Sequence, residues 1–148
     1  MSTFGADLRK LISRAESAAS EIVRGVALDT ANEMIERCPV AAQGGGRLRS
    51  NIVCGIGSIN KRNTIPAGTD PQPGIESALA RWKIGDPIYI TNSVPYAIVV
   101  EYGLYGKPPG SANGPKTIAG YSSQAVGGFV RLTAQNIVQS LNKRVAAL

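Results

Sequence analysis

The sequence predicts an α+β domain, with a long N-terminal helix and a C-terminal helix packed on a small, mainly antiparallel β-sheet. Three observations predict it. Apolar residues recur at three-and-four spacing near the start of the chain, and the same spacing returns near its end. The segments between are short, alternating in polarity, and separated by stretches rich in Gly, Pro, Asn and Thr. All 148 residues fit one domain around one core.

Residues 6–37 read as the first helix, with Leu8, Leu11, Ile12, Ala15, Ala19, Ile22, Val23, Val26, Thr30, Met34 and Cys38 along one face. Ser2 or Thr3 can cap its start, and Pro39 stops it. Such a helix is about 45–50 Å long, more than so small a domain needs, so any part reaching past the core is free for a neighbour. Gly25 weakens its middle by roughly 1 kcal/mol relative to alanine, which is where a bend is expected. Gln43-Gly44-Gly45-Gly46 is a turn; no Lys-Ser/Thr pair follows it, as a phosphate-binding loop requires. Residues 48–59 alternate as a strand, with Arg47 and Arg49 projecting to one side at its start.

Residues 60–74 read as a long loop, 75–82 as a short helix with Ile75, Leu79 and Trp82 on one side, and 87–92 as a second strand. Residues 95–102 make a helical turn or two. Residues 103–120 hold five glycines and three prolines and read as a second long loop. Residues 128–147 close the chain as an amphipathic helix whose stripe is Val130, Ala134, Ile137, Val138, Leu141, Val145 and Leu148. The expected core includes Ile52, Ile56, Ile88 and Ile90. Loops this long in a compact domain carry contacts, here expected between subunits or rings.

Histidine is absent, which removes the commonest general base and metal ligand. Cys38 and Cys54 are too few for a disulfide framework and read as reduced, buried thiols. Asp70, Glu76, Asp86 and Glu101 form no close pair, and no Ser, Cys or Lys stands in a nucleophile motif. No enzyme, catalytic residue, metal site or cofactor is expected. No apolar run is long enough to span a bilayer, and the first ten residues do not resemble a signal peptide, so a cytoplasmic product without membrane contact is expected.

The net charge of +6 is unevenly spread. Residues 1–36 carry −2; residues 37–62 hold Arg37, Arg47, Arg49, Lys61 and Arg62 with no acid. Residues 63–101 return to −2, and Lys107, Lys116, Arg131, Lys143 and Arg144 follow without an acid. This is either an ordinary basic surface or a set of opposed charges suited to packing against further copies or near DNA.

Several segments resemble the head–tail joining, or tail-completion, proteins of long-tailed bacteriophages. A helix ends in Cys38-Pro39-Val40, and a Gly-rich turn leads to Gly46-Arg47-Leu48-Arg49-Ser50-Asn51. Ile90-Thr91-Asn92-Ser93-Val94-Pro95-Tyr96-Ala97 and Glu101-Tyr102-Gly103 follow. Gly127-Gly128-Phe129-Val130-Arg131 opens the last helix. The blocks run from residue 38 to the end in the family's order, although Ala42-Gln43-Gly44-Gly45-Gly46 replaces the usual Asp-Thr-Gly turn and residues 60–74 are longer than in the family pattern.

The resemblance implies a structural virion protein of the neck or upper tail, assembled in the host cytoplasm. It implies a ring, of six subunits, around the DNA channel. Its partners would be further copies of itself, head-completion or connector proteins, the tail-tube protein and the viral double-stranded DNA. The alternative is a basic nucleic-acid-binding module, against which stand few aromatic residues in the basic stretches and no evident reading helix.

Arg47, Arg49, Lys61 and Arg62 are the candidate interface or DNA-channel residues: they are solvated surface, or they meet phosphate or an acidic partner. Trp82, Tyr96, Glu101 and Arg131 are the candidate interface anchors. Trp82 is expected in the core, or at an interface if partly exposed; Tyr96 is expected to pack with a hydrogen-bonded hydroxyl. Glu101 is expected to cap the amides of a nearby turn, or to pair with Arg47 or Arg49.

Overall fold

A computed structural model describes residues 3–40, 45–103, 117–118 and 121–147. Helix α1 spans Thr3–Arg37, α2 is the single turn Arg47–Ser50, and strand β1 is Ile52–Ile56. Helix α3 (Gln72–Ala80), strand β2 (Ile88–Asn92) and helix α4 (Ala97–Tyr102) follow. A short hairpin, β3 (Thr117–Ile118) and β4 (Tyr121–Ser122), precedes the closing helix α5 (Phe129–Val145). Strands β1 and β2 pair antiparallel, from Ile52 opposite Asn92 to Ile56 opposite Ile88. The α+β class expected from the sequence is the class observed.

Helix α1 begins earlier than its stripe suggests. Thr3 is already helical, so it is not the cap, and Ser2 lies outside the described residues. Gly25 does not interrupt the helix, and α1 runs as one element through it. A Cβ at this position would collide with the guanidinium of Arg144, which crosses α1 there to reach Asp29. Arg144 donates two parallel bonds to that carboxylate, Nε to Oδ2 at 2.8 Å and Nη2 to Oδ1 at 2.7 Å. The glycine thus admits a bidentate ion pair joining the two long helices. Ser140 adds a bond to Asp29 at 2.6 Å, and Asn136 bonds Glu33, so α5 runs antiparallel along α1.

The core takes only the second half of the long stripe. Ala27, Ala31, Met34 and Cys38 are buried with Leu48, Ile52, Ile75, Leu79 and Phe129. Of the four expected core isoleucines, Ile52 is fully buried, while Ile56, Ile88 and Ile90 are partly buried against the same cluster. In the first half of α1, Phe4, Leu8, Leu11 and Ile12 are exposed.

The strand expected over residues 48–59 is present but shorter. Arg47–Ser50 closes a helical turn and pairing extends only from Ile52 to Ile56. Two asparagines decide this. The amide of Asn51, wholly buried, donates to the carbonyls of Arg47 at 2.7 Å and Ile65 at 2.8 Å. Its oxygen accepts the Ile65 N–H at 2.9 Å. Asn92 donates to the Leu48 carbonyl at 2.6 Å. These side chains satisfy the backbone groups that a longer ladder would otherwise have paired.

The segment expected as a long loop at 60–74 is held to the rest of the fold at several points. Thr91 donates to the Asn60 carbonyl at 2.8 Å, Asn63 to Ser93 at 3.1 Å, and Asn51 holds Ile65. Its last three residues belong to α3, which starts at Gln72, ahead of the residue 75 expected, with Pro73 in the first turn where a missing N–H costs nothing. Of the second expected loop, 103–120, residues 104–116 and 119–120 lie outside the described residues, and Thr117–Ile118 forms β3.

Candidate functional site

Arg47 and Arg49 do not share a face, as a strand would have required. One helical turn sends them apart. Arg47 is exposed and reaches the carbonyl of Asn63 at 3.4 Å, beside Lys61 and Arg62, both exposed. Arg49 is half-buried and turns inward, donating at 3.4 Å to the carbonyl of Cys38 at the end of α1. Its Nε is buried without a partner among the described residues. The outward basic residues are therefore Arg47, Lys61 and Arg62, and Asn51 clasps α2 to the segment carrying the other two.

The four candidate anchors divide in the same way. Trp82 is buried, its ring N–H donating to the Asp86 carbonyl at 2.7 Å. Arg24 lies over its ring, 5.9 Å from the centroid, and donates to its carbonyl at 2.8 Å. Glu101 is also buried, and no pair with Arg47 or Arg49 forms. Its carboxylate accepts the first N–H groups of α5, from Phe129 at 2.9 Å and from Val130 and Arg131 at 3.1 Å. Capping is the role expected of it, directed to a helix start rather than a turn. Trp82 and Glu101 thus spend their polar groups inside the chain.

Tyr96 and Arg131 face outward. Tyr96 precedes α4 and is 40% exposed. Arg131 sits over the Tyr121 ring at 5.0 Å, and Tyr121 stacks on Tyr102 at 5.6 Å. Ile98 and Val130 are exposed and share a surface depression with Tyr102 and Arg131. The outcome is a mixed aromatic and aliphatic surface at the start of α5, of the composition found at the centres of protein interfaces.

Both cysteines are buried and free. Burial pushes the Cys38 thiol from its ordinary 9.0 up to about 12, opposed by the Arg49 guanidinium. Burial also raises Cys54, opposed by Arg81. Between these limits an unfolded chain loses the Cys38 proton while the folded chain keeps it, so stability falls as pH rises above 9. The slope is at most about 1.4 kcal/mol per pH unit for one such group. Replacing Cys38 with Ala should flatten the decline between about pH 8 and about pH 10.5 in urea melts, since it removes the titrating group. An unchanged decline would place its cause elsewhere.

Among the described residues no group of three or more His, Cys, Asp or Glu side chains could hold a metal ion. Among them, too, no helix is long and apolar enough to cross a membrane. No protein-family model, no curated protein and no solved structure matches this chain. The residues that sequence reasoning missed are Asn51, Asn92, Asp29 and Arg24, all polar groups whose partners lie far along the chain. The one available signal was Asp29 and Arg144 standing on the faces where two apolar stripes meet.

Proposed function

We propose that this chain is a structural subunit of a phage virion, forming a ring that completes the tail and joins it to the head around the DNA channel. The observation that carries the reading is that the blocks resembling head–tail joining proteins are bonded to one another. Asn92, of the Asn-Ser-Val-Pro-Tyr block, holds the turn of the Arg-Leu-Arg-Ser-Asn block. Glu101, of the Glu-Tyr-Gly block, holds the Gly-Gly-Phe-Val-Arg block. The blocks that carry the resemblance therefore belong to one structural unit. The exposed apolar half of α1 supports the reading as well, because a monomer gains nothing from such a surface.

Ring closure requires two different faces on each subunit, one meeting the other on the next copy. The partners would be six copies of the chain, a connector or head-completion protein on one side and the tail tube on the other. The exposed patch of Arg47, Lys61 and Arg62 lends support to the alternative, a basic nucleic-acid-binding module. Electron microscopy and native mass spectrometry of the purified protein, with and without duplex DNA, separate the two. Rings are expected. A monomer that binds oligonucleotides would favour the alternative.

Reversing all three patch charges (Arg47→Glu, Lys61→Glu, Arg62→Glu) refines the result. If the patch meets an acidic neighbour, rings are lost while the melting temperature holds within about 3 °C, as expected of surface changes costing less than about 1 kcal/mol. If it lines the channel, rings persist and the salt slope of DNA binding falls by about three counterions. Rings and DNA binding both unchanged would leave the patch without a role.

A further inference from the structure

We propose that the projecting half of α1 from one copy seats in an apolar groove of a second copy, so that the chain carries both sides of its own assembly contact. This takes the ring reading as its geometric frame, although the contact itself can exist without a closed ring.

The projecting part is a consequence of unequal helix lengths. Helix α1 has 35 residues, and α5, with 17, covers only its second half. Arg144, in the last turn of α5, lies level with Gly25. Residues 3–21 therefore extend past α5 by roughly 28 Å. Along this stretch Phe4, Leu8, Leu11 and Ile12 are 76%, 45%, 64% and 49% exposed. Their spacing, continued by Ala15, makes one stripe. The flanking charges nearly balance: Arg9, Lys10 and Arg14 against Asp7, Glu16 and Glu21. A helix that binds an anionic membrane or phosphate carries an excess of cations beside its stripe, and this one does not. The stripe is suited to another apolar protein surface.

The chain presents such a surface. A groove of about 430 Å³ opens where α1, β2 and α5 meet, lined by Val26, Ile88, Ile90, Val130, Ile137 and Leu141 among others. Among the described residues no charged side chain lines it, and the only polar side chains are two threonines. The described lining therefore offers few of the orienting polar groups of a small-molecule site. It also cannot take the stripe of its own molecule. One wall is formed by Val23 to Met34, the other end of the same unbroken helix. Folding the stripe back would mean breaking α1 near Gly25, where Arg144 and Asp29 clamp it.

The area is of the right order for a second copy. Half the circumference of a helix about 11 Å across, over 28 Å, is roughly 500 Å². A stable interface needs about 800 Å² from each partner. Val138 and Val145, on α5 and 61% and 50% exposed, extend the receiving surface beyond the groove. Because stripe and groove are different surfaces, each copy gives one and receives one, which is the heterologous contact a ring needs.

Disulfide trapping between separately made variants tests the contact, with little background because Cys38 and Cys54 are buried. Leu8→Cys mixed with Ile137→Cys should give a linked pair under mild oxidation. Leu8→Cys mixed with Lys83→Cys, an exposed site that does not line the groove, should not. A dominant link between two Leu8→Cys chains would overturn the proposal, as would equal linking to the Lys83 site or no linking where the unaltered protein associates. A second variant, Leu8→Asp with Leu11→Asp, should keep the melting temperature of the isolated subunit and abolish association at least tenfold in concentration. A lowered melting temperature would show that the stripe packs within its own chain and would also overturn it. Electron microscopy of the same samples keeps the two readings apart. Rings without the 8–137 link leave the ring standing and sink this contact; the link in pairs or open chains does the reverse.

Discussion

Replacing Glu101 with Ala should lower the stability of the subunit by about 4 kcal/mol, or roughly 10–15 °C in melting temperature. The carboxylate is buried at the start of α5 and accepts three backbone N–H groups, each at 2.9–3.1 Å. These belong to the first turn of a helix, which has no intrahelical partners for them and carries the positive end of the dipole. Most helices solve this with a residue just ahead of the helix, but the N-cap residue here is Gly128, which has no side chain to offer. The glycine is required. Its φ is 82°, and a Cβ there would strike the Glu101 carboxylate and come within 2.9 Å of the Tyr121 ring. Two consequences follow for comparison. Glu101→Gln keeps the size but turns an NH₂ group towards one of the amides, so it should lose about half as much as the alanine. Gly128→Ala should approach the loss of Glu101→Ala, because it evicts the same carboxylate. Thermal melts of the three proteins check the order; a Glu101→Ala variant as stable as the parent would mean that α5 is held by its packing on α1 alone.

The two long helices were legible because their stripes persist for many turns, and a long period survives local noise. The contrast with α2 is physical. Across four residues, Arg-Leu-Arg-Ser alternates as a strand would and also places Leu48 inward on a helical turn, so periodicity cannot choose. The choice is made by Asn51 and by Asn92, 44 residues beyond Leu48. Glu101 was legible as a cap but not as the cap of a helix 28 residues later. Gly25 read as a weak point in a helix because its neighbour, Arg144, enters from the far end of the chain. The apolar half of α1 shows the opposite limit: the stripe was visible in full, but nothing in it says where the core stops and the neighbour begins. That boundary is set by the length of α5.

Loss of Asn51 should be nearly as costly as loss of Glu101, about 3 kcal/mol for Asn51→Ala. Its side chain is wholly buried and makes three bonds to backbone groups, closing α2 through Arg47 and pinning Ile65 by both its N–H and its carbonyl. Alanine leaves those groups in a space too enclosed for bulk water to replace the amide. Asp at the same position is a sharper test. It has nearly the same shape and still accepts the Ile65 N–H, yet it cannot donate, and it turns negative charge against the carbonyls of Arg47 and Ile65. Asn51→Asp should therefore be less stable than Asn51→Ala near neutral pH, in urea melts and by hydrogen exchange at Ile65. If Asp were instead the milder change, the single bond from Ile65 would be carrying the clasp. The effect should also reach the surface. Asn51 clasps the turn carrying Arg47 to the segment carrying Lys61 and Arg62, so a clasp opened by Ala should weaken whatever the patch binds without removing a single charge from it. Charge reversal of the patch and opening of the clasp should then impair the same partner, the first by sign and the second by geometry.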